Sequence, residues 1–308
     1  MIHQFRLLML SAMYENGGNV THRFMDGHPQ LFVYPFESQL GTRHVNDFLS
    51  SMYPVKYRWP VFSLHASPYE DYKAIIDEEA KVRGITPHVS KFRHMPMSFS
   101  DDERGLIYQE YVQKTGRSTG GNVMSFFKAT FDAWRDYKRT GKEIAYLGYS
   151  PIIIVDAERI ITDLPQSHVI HIVRNPWSAY RDTQKRPVPL SIAHYMAAWT
   201  QNQYYALLYK QKYPDRIHLL RLEDILVNPE KTIGELLETL GFERGGYLNA
   251  PTWNGTLLDE VYPWGTIRRA TPEANREAAE ALSRREQEEI RRRASPYLES
   301  FDFKSFIP

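Results

Sequence analysis

The feature that most constrains this chain is the alternation of short, nearly continuous apolar runs with longer stretches of helical periodicity. The runs lie at residues 5–12, 31–34, 169–173 and 217–220. Runs of that length and character predict strands buried on both faces. The helical stretches between them predict crossovers, so the expected architecture is a parallel sheet wrapped by helices. The clearest helix spans residues 190–212, where Ile192, Tyr195, Met196, Trp199, Ala206 and Leu207 recur at three- and four-residue steps. Another opens on Asn228-Pro229, a capping residue followed by proline, and closes at Gly241. Thr271-Pro272 opens the C-terminal part, and Ser283 with Glu286 forms a capping-box pattern ahead of a highly charged helix at 287–293. That helix is expected to be exposed, with Arg291, Arg292 and Arg293 paired to Glu286, Glu288 and Glu289 rather than forming a nucleic-acid patch.

Composition narrows the function classes. A chain of 308 residues that is 42% hydrophobic and 24% charged has the material for a sizeable core. No repeat or low-complexity linker divides it, which predicts a single domain over 1–308. A net charge of +1 gives no global basic field, so a nucleic-acid partner is not expected and any anion site must be local. The absence of cysteine excludes a disulfide framework, a thiolate zinc site and a cysteine nucleophile, and it fits a reducing, cytoplasmic setting. Leu7-Leu8-Met9-Leu10 is too short for a membrane span. The sequons at Asn19 and Asn254 read as chance occurrences.

Three segments carry chemistry. The first apolar run stops at Tyr14-Glu15-Asn16-Gly17-Gly18-Asn19 and passes into a helical stretch ending near Gly27-His28-Pro29. A strand, glycine loop and helix in that order collect unpaired backbone N–H groups and the helix dipole at one point, which suits a phosphate or sulfate. A plain structural turn is the alternative. No Gly-Lys-Ser/Thr follows and no lysine lies in residues 1–55, which argues against a nucleotide kinase. The second segment, residues 171–180, places Arg174 at the C-terminal edge of a strand, where open α/β sheets bind ligands. An arginine pairing with a nearby carboxylate is the other reading. The third is Arg221-Leu222-Glu223-Asp224 with the Asn228-Pro229 helix behind it.

With these segments in order, the chain resembles the sulfotransferase family, whose members transfer a sulfuryl group from 3′-phosphoadenosine 5′-phosphosulfate to a hydroxyl or amine. The resemblance implies a P-loop-containing nucleotide hydrolase-like three-layer α/β sandwich with a central parallel sheet. It implies that Asn16, Gly17, Gly18 and Asn19 wrap the 5′-phosphosulfate. Val173-Arg174-Asn175-Pro176 is similar to the family's element for the 3′-phosphate, so Arg174 is the candidate there, joined by Arg268 in Trp264-Gly265-Thr266-Ile267-Arg268-Arg269. A small-molecule or carbohydrate acceptor, no metal and no membrane partner are the remaining implications.

Three positions depart from the family pattern. Where the family keeps a lysine or arginine in the first loop, an ungapped count gives Glu15 and a one-residue gap gives Asn16. The serine that the family places after the 3′-phosphate arginine is Asp182, with Thr183 or Ser178 as substitutes. The Glu-Lys-Thr-Pro element of many bacterial members reads Gly148-Tyr149-Ser150-Pro151. Compensating cations are sought among His22, Arg23, Arg43, Arg268 and Arg269; otherwise the same fold serves a different donor or ligand. For proton removal from the acceptor, Glu37 is the candidate base, matching a glutamate of carbohydrate-type members, with helix capping as its other role. His65 and His94 are alternatives within the 55–105 stretch expected to build the acceptor pocket. Tyr53, Tyr57, Trp59, Tyr69 and Tyr72 either stack on an acceptor or pack the core. His168 and His171, three apart on a strand, point to opposite faces and do not share a metal.

Overall fold

The computed structural model describes residues 2–90, 92–258 and 271–307. Among them, β1 (Leu7–Ala12), β2 (Leu31–Val33), β3 (Ala145–Pro151), β4 (His168–Val173) and β5 (Ile217–Arg221) form one parallel sheet in the order β2-β3-β1-β4-β5. A short antiparallel pair, β6 (Thr252–Trp253) and β7 (Thr256–Leu257), stands apart. The helices are α1 (Gly18–Met25), α2 (Pro68–Ala74), α3 (Glu78–Ile85), α4 (Asp101–Thr115), α5 (Thr119–Ala133), α6 (Ala157–Asp163), α7 (Pro176–Thr183), α8 (Ile192–Lys212), α9 (Leu222–Val227), α10 (Pro229–Thr239), α11 (Pro272–Glu280) and α12 (Arg284–Leu298).

β1 explains the layering. All six of its residues are buried, and its side chains divide between two cores as the period of two demands. Leu7 and Met9 join Val123, Phe127, Tyr195, Trp199 and Ile290 on the face covered by α5, α8 and α12. Leu8, Leu10 and Ala12 join Val20, Met25, Ile225, Ile233 and Leu237 on the face covered by α1, α9 and α10. The sheet is therefore the middle of three layers, the α/β sandwich that the apolar runs predicted.

Two elements differ from expectation. β3 lies beside the central strand, yet Gly148, Ser150 and Pro151 interrupt its apolar character and hide it from a reading of runs. The last long helix is not an exposed charged rod. Its Ile290, Ala294 and Leu298 are buried, and Tyr297 packs edge-on against Trp199 at 6.1 Å. Arg293 pairs with Glu289 at 2.9 Å as expected, whereas Arg291 lies 5.6 Å over the Trp177 ring and donates to the Ile307 carbonyl. The spacing of Ile290, Ala294 and Leu298, not the arginine run, decides where this helix goes. No helix among the described residues is long and apolar enough to cross a membrane.

The rim of the sheet also sets an acid limit. His171 is fully buried, touching Ser11 and Gln203 at 3.2 Å each, and burial pulls its pKa down to about 4 from 6.5. His168 and His218, 3.1 Å apart, are lowered in the same way, burial again being the leading cause. Between pH 6.5 and 4 the unfolded chain binds protons that the folded chain refuses, so stability falls as pH drops through that window and is flat above it. Urea midpoints at pH 7 and pH 5 should therefore differ, and equal midpoints would contradict the burial of these rings in neutral form.

Candidate active site

The carboxyl ends of β1, β2, β3 and β4 meet where the strand order reverses about β1, which is where an open α/β sheet leaves a crevice. β1 runs into Met13-Tyr14-Glu15-Asn16, and Gly17 starts α1 at φ 87°, the left-handed region, as the N-cap. Gly18 faces the Tyr149 ring so closely that a Cβ there would fall 2.4 Å from it, and a Cβ on Gly17 would fall 2.4 Å from Leu222. Gly17 is thus required by the turn, and Gly18 by the packing of the Tyr149 ring. Gly18→Ala should destabilise the fold by about 1–3 kcal/mol through overpacking, and Tyr149→Leu should recover much of that loss. A thermal-melt double-mutant cycle without coupling would contradict the contact.

The first turn of α1 has no side-chain cap, as is also true of α3, α6 and α9, whereas Ser67, Ser100, Ser118, Asn175, Ser191, Asn228, Thr271 and Ser283 each cap a helix with a side-chain oxygen. The first-turn N–H groups of α1 have no intrahelical acceptor. Asn19, partly buried at the second position of this turn, makes no side-chain hydrogen bond among the described residues and is available as a donor. Asn16 is not: fully buried, it accepts from the Arg174 N–H at 3.1 Å and donates to the Tyr14 carbonyl and the Tyr195 hydroxyl at 2.9 Å each. Its role is to hold the loop against β4 and α8.

Arg174 leaves the end of β4 and is buried at 8% exposure. Its Nε donates to Asn275 Oδ1 at 2.7 Å, and its Nη1 donates to the Glu15 carbonyl at 2.8 Å and to Asp182 Oδ2 at 2.7 Å. Asp182 also accepts from Lys185 Nζ at 2.5 Å. Burial alone would raise the Asp182 carboxyl, but Arg174 and Lys185 outweigh it and hold it below the usual range, so it is ionised. The two hydroxyls that sequence reasoning offered in place of a serine are engaged elsewhere. Ser178 Oγ donates to the Asn275 carbonyl at 2.5 Å, and Thr183 Oγ1 donates to the Tyr180 carbonyl at 2.7 Å.

Glu15, at φ 61°, points its carboxylate toward Arg186 at 3.9 Å, and the Arg186 guanidinium lies 5.0 Å over the Tyr14 ring. Burial raises the Glu15 pKa; Arg186, Arg174 and Lys185 counter it while Asp182 adds to it. Lys185 and Arg186 were missed by the sequence reading, although a Lys-Arg pair in the loop after the proline-started α7 was a usable signal. The cations proposed in their place lie elsewhere. His22 and Arg23 are buried and joined at 2.6 Å, and Arg23 faces Asp26, Trp253 and the Pro35 carbonyl. Arg43 is exposed. Arg268 and Arg269 lie outside the described residues.

Glu37 follows β2 and is placed by its neighbour: Ser38 N–H donates to the Tyr149 carbonyl at 2.5 Å, and Ser38 Oγ accepts from the Tyr149 N–H at 3.1 Å. The Tyr57 phenol lies near the Glu37 carboxylate; burial, then Glu37, push that phenol's pKa well up. Tyr14, whose ring meets Tyr57 edge-on at 6.2 Å, is pushed up to about 12 by burial, with Glu37 adding and Arg186 opposing. Arg58, next to Tyr57, is clamped by Asp156 at 2.7 Å and by both oxygens of Asp47 at 2.9 Å, which fixes the segment carrying Tyr57. Tyr149 is the shared wall: its ring packs on Gly18, and its phenol senses Glu37, Tyr57, Glu15 and Tyr14. Glu37 and the glycine loop thus share Tyr149 as a neighbour. His65 and His94 are exposed, and of the aromatic group Tyr53, Trp59 and Tyr72 are core while Tyr69 is half exposed.

A central parallel sheet wrapped by helices, with a glycine-started helix after its central strand, defines an α/β fold of the P-loop-like class. The sequence model of the sulfotransferase family matches residues 17–244, and the chain belongs to that family. Among solved structures it is similar to the sulfotransferase domain from the Synechococcus PCC 7002 olefin synthase, with TM-score 0.51 and 14% identity over 98% of this chain and 96% of that one. It is also similar to the sulfotransferase domain from the curacin biosynthetic pathway (TM-score 0.47, 13% identity, 94% and 98% covered). The first likeness carries the fold, and only the fold. No curated protein matches the chain in sequence.

Proposed function

We propose that this chain is a cytoplasmic sulfotransferase that moves a sulfuryl group from an adenosine phosphosulfate to a hydroxyl or amine of a small-molecule or carbohydrate acceptor. The family's usual donor is 3′-phosphoadenosine 5′-phosphosulfate, which supplies an activated sulfuryl group on a phosphate leaving group. The observation that supports the reading most is the glycine-started first turn of α1, without a side-chain cap, at the carboxyl end of the central strand. The α1 amides and the Asn19 amide group hold anionic oxygens at the 5′ end. Arg186, already beside Glu15, supplies positive charge to the same loop. Glu37, close to Tyr57, takes the acceptor proton as attack proceeds. Absence of cysteine and of any spanning helix among the described residues accords with the location proposed.

Incubating the protein with a mixed panel of amino-alcohol, phenol and sugar acceptors and each adenosine phosphosulfate tests this. Mass spectrometry should find one sulfuryl group added to an acceptor, and release of the desulfated nucleotide should require that acceptor. Failure of any nucleotide to bind the wild-type chain in calorimetry would remove the proposal. One observation favours a second reading, a donor or ligand other than the family's usual one: the guanidinium expected to meet a phosphate is closed by Asp182.

A further inference from the structure

Among the described residues, the fit is good at the 5′ end of such a donor and poor at its 3′ end. Of the Arg174 guanidinium, Nε and Nη1 are bound to Asn275, the Glu15 carbonyl and Asp182 at 2.7–2.8 Å. Ser178 and Thr183 donate to backbone carbonyls. An ionised carboxylate therefore engages Nη1 of Arg174, leaving only Nη2 of that guanidinium for another anion, and both hydroxyls proposed as phosphate donors are spent. Asp182 retains accepting capacity: its side chain is 20% exposed, and Arg174 and Lys185 each engage one of its oxygens. A carboxylate at this point repels a phosphate dianion and accepts a hydrogen bond from a hydroxyl. The same choice separates ribose from phosphorylated ribose in dinucleotide-binding folds, where an acid reads the hydroxyl and an arginine reads the phosphate.

We infer that Asp182 selects a nucleotide with a free ribose 3′-hydroxyl, so that the donor of this chain is adenosine 5′-phosphosulfate rather than its 3′-phosphorylated form. This rests on the sulfuryl-transfer reading above and names its donor. The step balances without a further reactant. The acceptor oxygen forms the new bond to sulfur while the bond from sulfur to the bridging oxygen breaks. The electron pair of that bond stays on the departing 5′-phosphate, the acceptor proton passes to Glu37, and AMP leaves. Lys185 and Arg174 hold the Asp182 carboxylate in place during this exchange, and Asp182 is a specificity residue that takes no part in bond making.

The test is calorimetric titration of the full chain with AMP and with 3′-phosphoadenosine 5′-phosphate. Wild type is expected to bind AMP at least about tenfold more tightly, a preference equivalent to about 1.4 kcal/mol. Asp182→Ser should reverse the order, and Asp182→Asn, which keeps the shape and drops the charge, should narrow it. Tighter binding of the 3′-phosphorylated nucleotide by wild type would overturn the inference and leave sulfuryl transfer standing. Binding of neither nucleotide would overturn both.

Discussion

Glu37→Gln is expected to lower the rate of sulfuryl transfer by about a hundred- to ten-thousand-fold, the range that a positioned general base supplies. The substitution keeps the size of the side chain but removes the basic oxygen beside Tyr57. Nucleotide affinity should be unchanged, because the 5′ end is held by α1 and not by Glu37. Tyr57→Phe gives the graded control: it removes a neighbouring phenol and leaves the base in place, so its loss of turnover should be smaller than that of Glu37→Gln. Stopped-assay turnover with calorimetry on the same preparations separates the two effects. A Glu37→Gln protein that turns over at the wild-type rate would show that the proton leaves by another route.

Arg174→Ala is expected to cost about 3 kcal/mol of stability, the lower end of the range for removing one partner of a buried ion pair. The lower end applies because Lys185 still faces Asp182 after the change. The loss has three parts on one side chain: the tie to Asn275 of α11, the tie to the Glu15 carbonyl of the loop, and the pair with Asp182. Arg174→Lys should recover only part of it, since a single ammonium cannot reach three acceptors that a planar fork spans. Urea unfolding reports the cost directly, and a midpoint equal to wild type would show that Arg174 is not the tether described. Nucleotide binding should fall as well, because the loop loses its hold on β4.

The sheet was largely legible because β1, β2, β4 and β5 are continuous apolar runs, and so were α8 and α10, whose caps and periodicities agree. β3 escaped because its buried positions are filled by Gly148, Tyr149, Ser150 and Pro151, residues that serve the crevice rather than a hydrophobic pattern. In the candidate site, the glycine loop, Arg174 and Glu37 could be read because each follows a recognisable strand. Their environment could not. Tyr14, Tyr57 and Tyr149 are far apart in sequence and meet only through the sheet. The pairing of Arg174, at the end of β4, with Asp182, in the last turn of α7, spans eight residues and could not be told in the sequence from a solvent-facing aspartate. The bland reading of Arg174, an arginine held by a nearby carboxylate, describes what it contacts, and its place at the crevice describes why that contact matters.

The indole of Trp199 donates to the main-chain carbonyl of Arg174 at 3.3 Å and is sealed from solvent. A ligand that moves the Arg174 main chain is expected to change the polarity sensed by that chromophore, so tryptophan emission during titration should report loading of the crevice without a label, and comparison with Trp199→Phe isolates this residue's share among the six tryptophans.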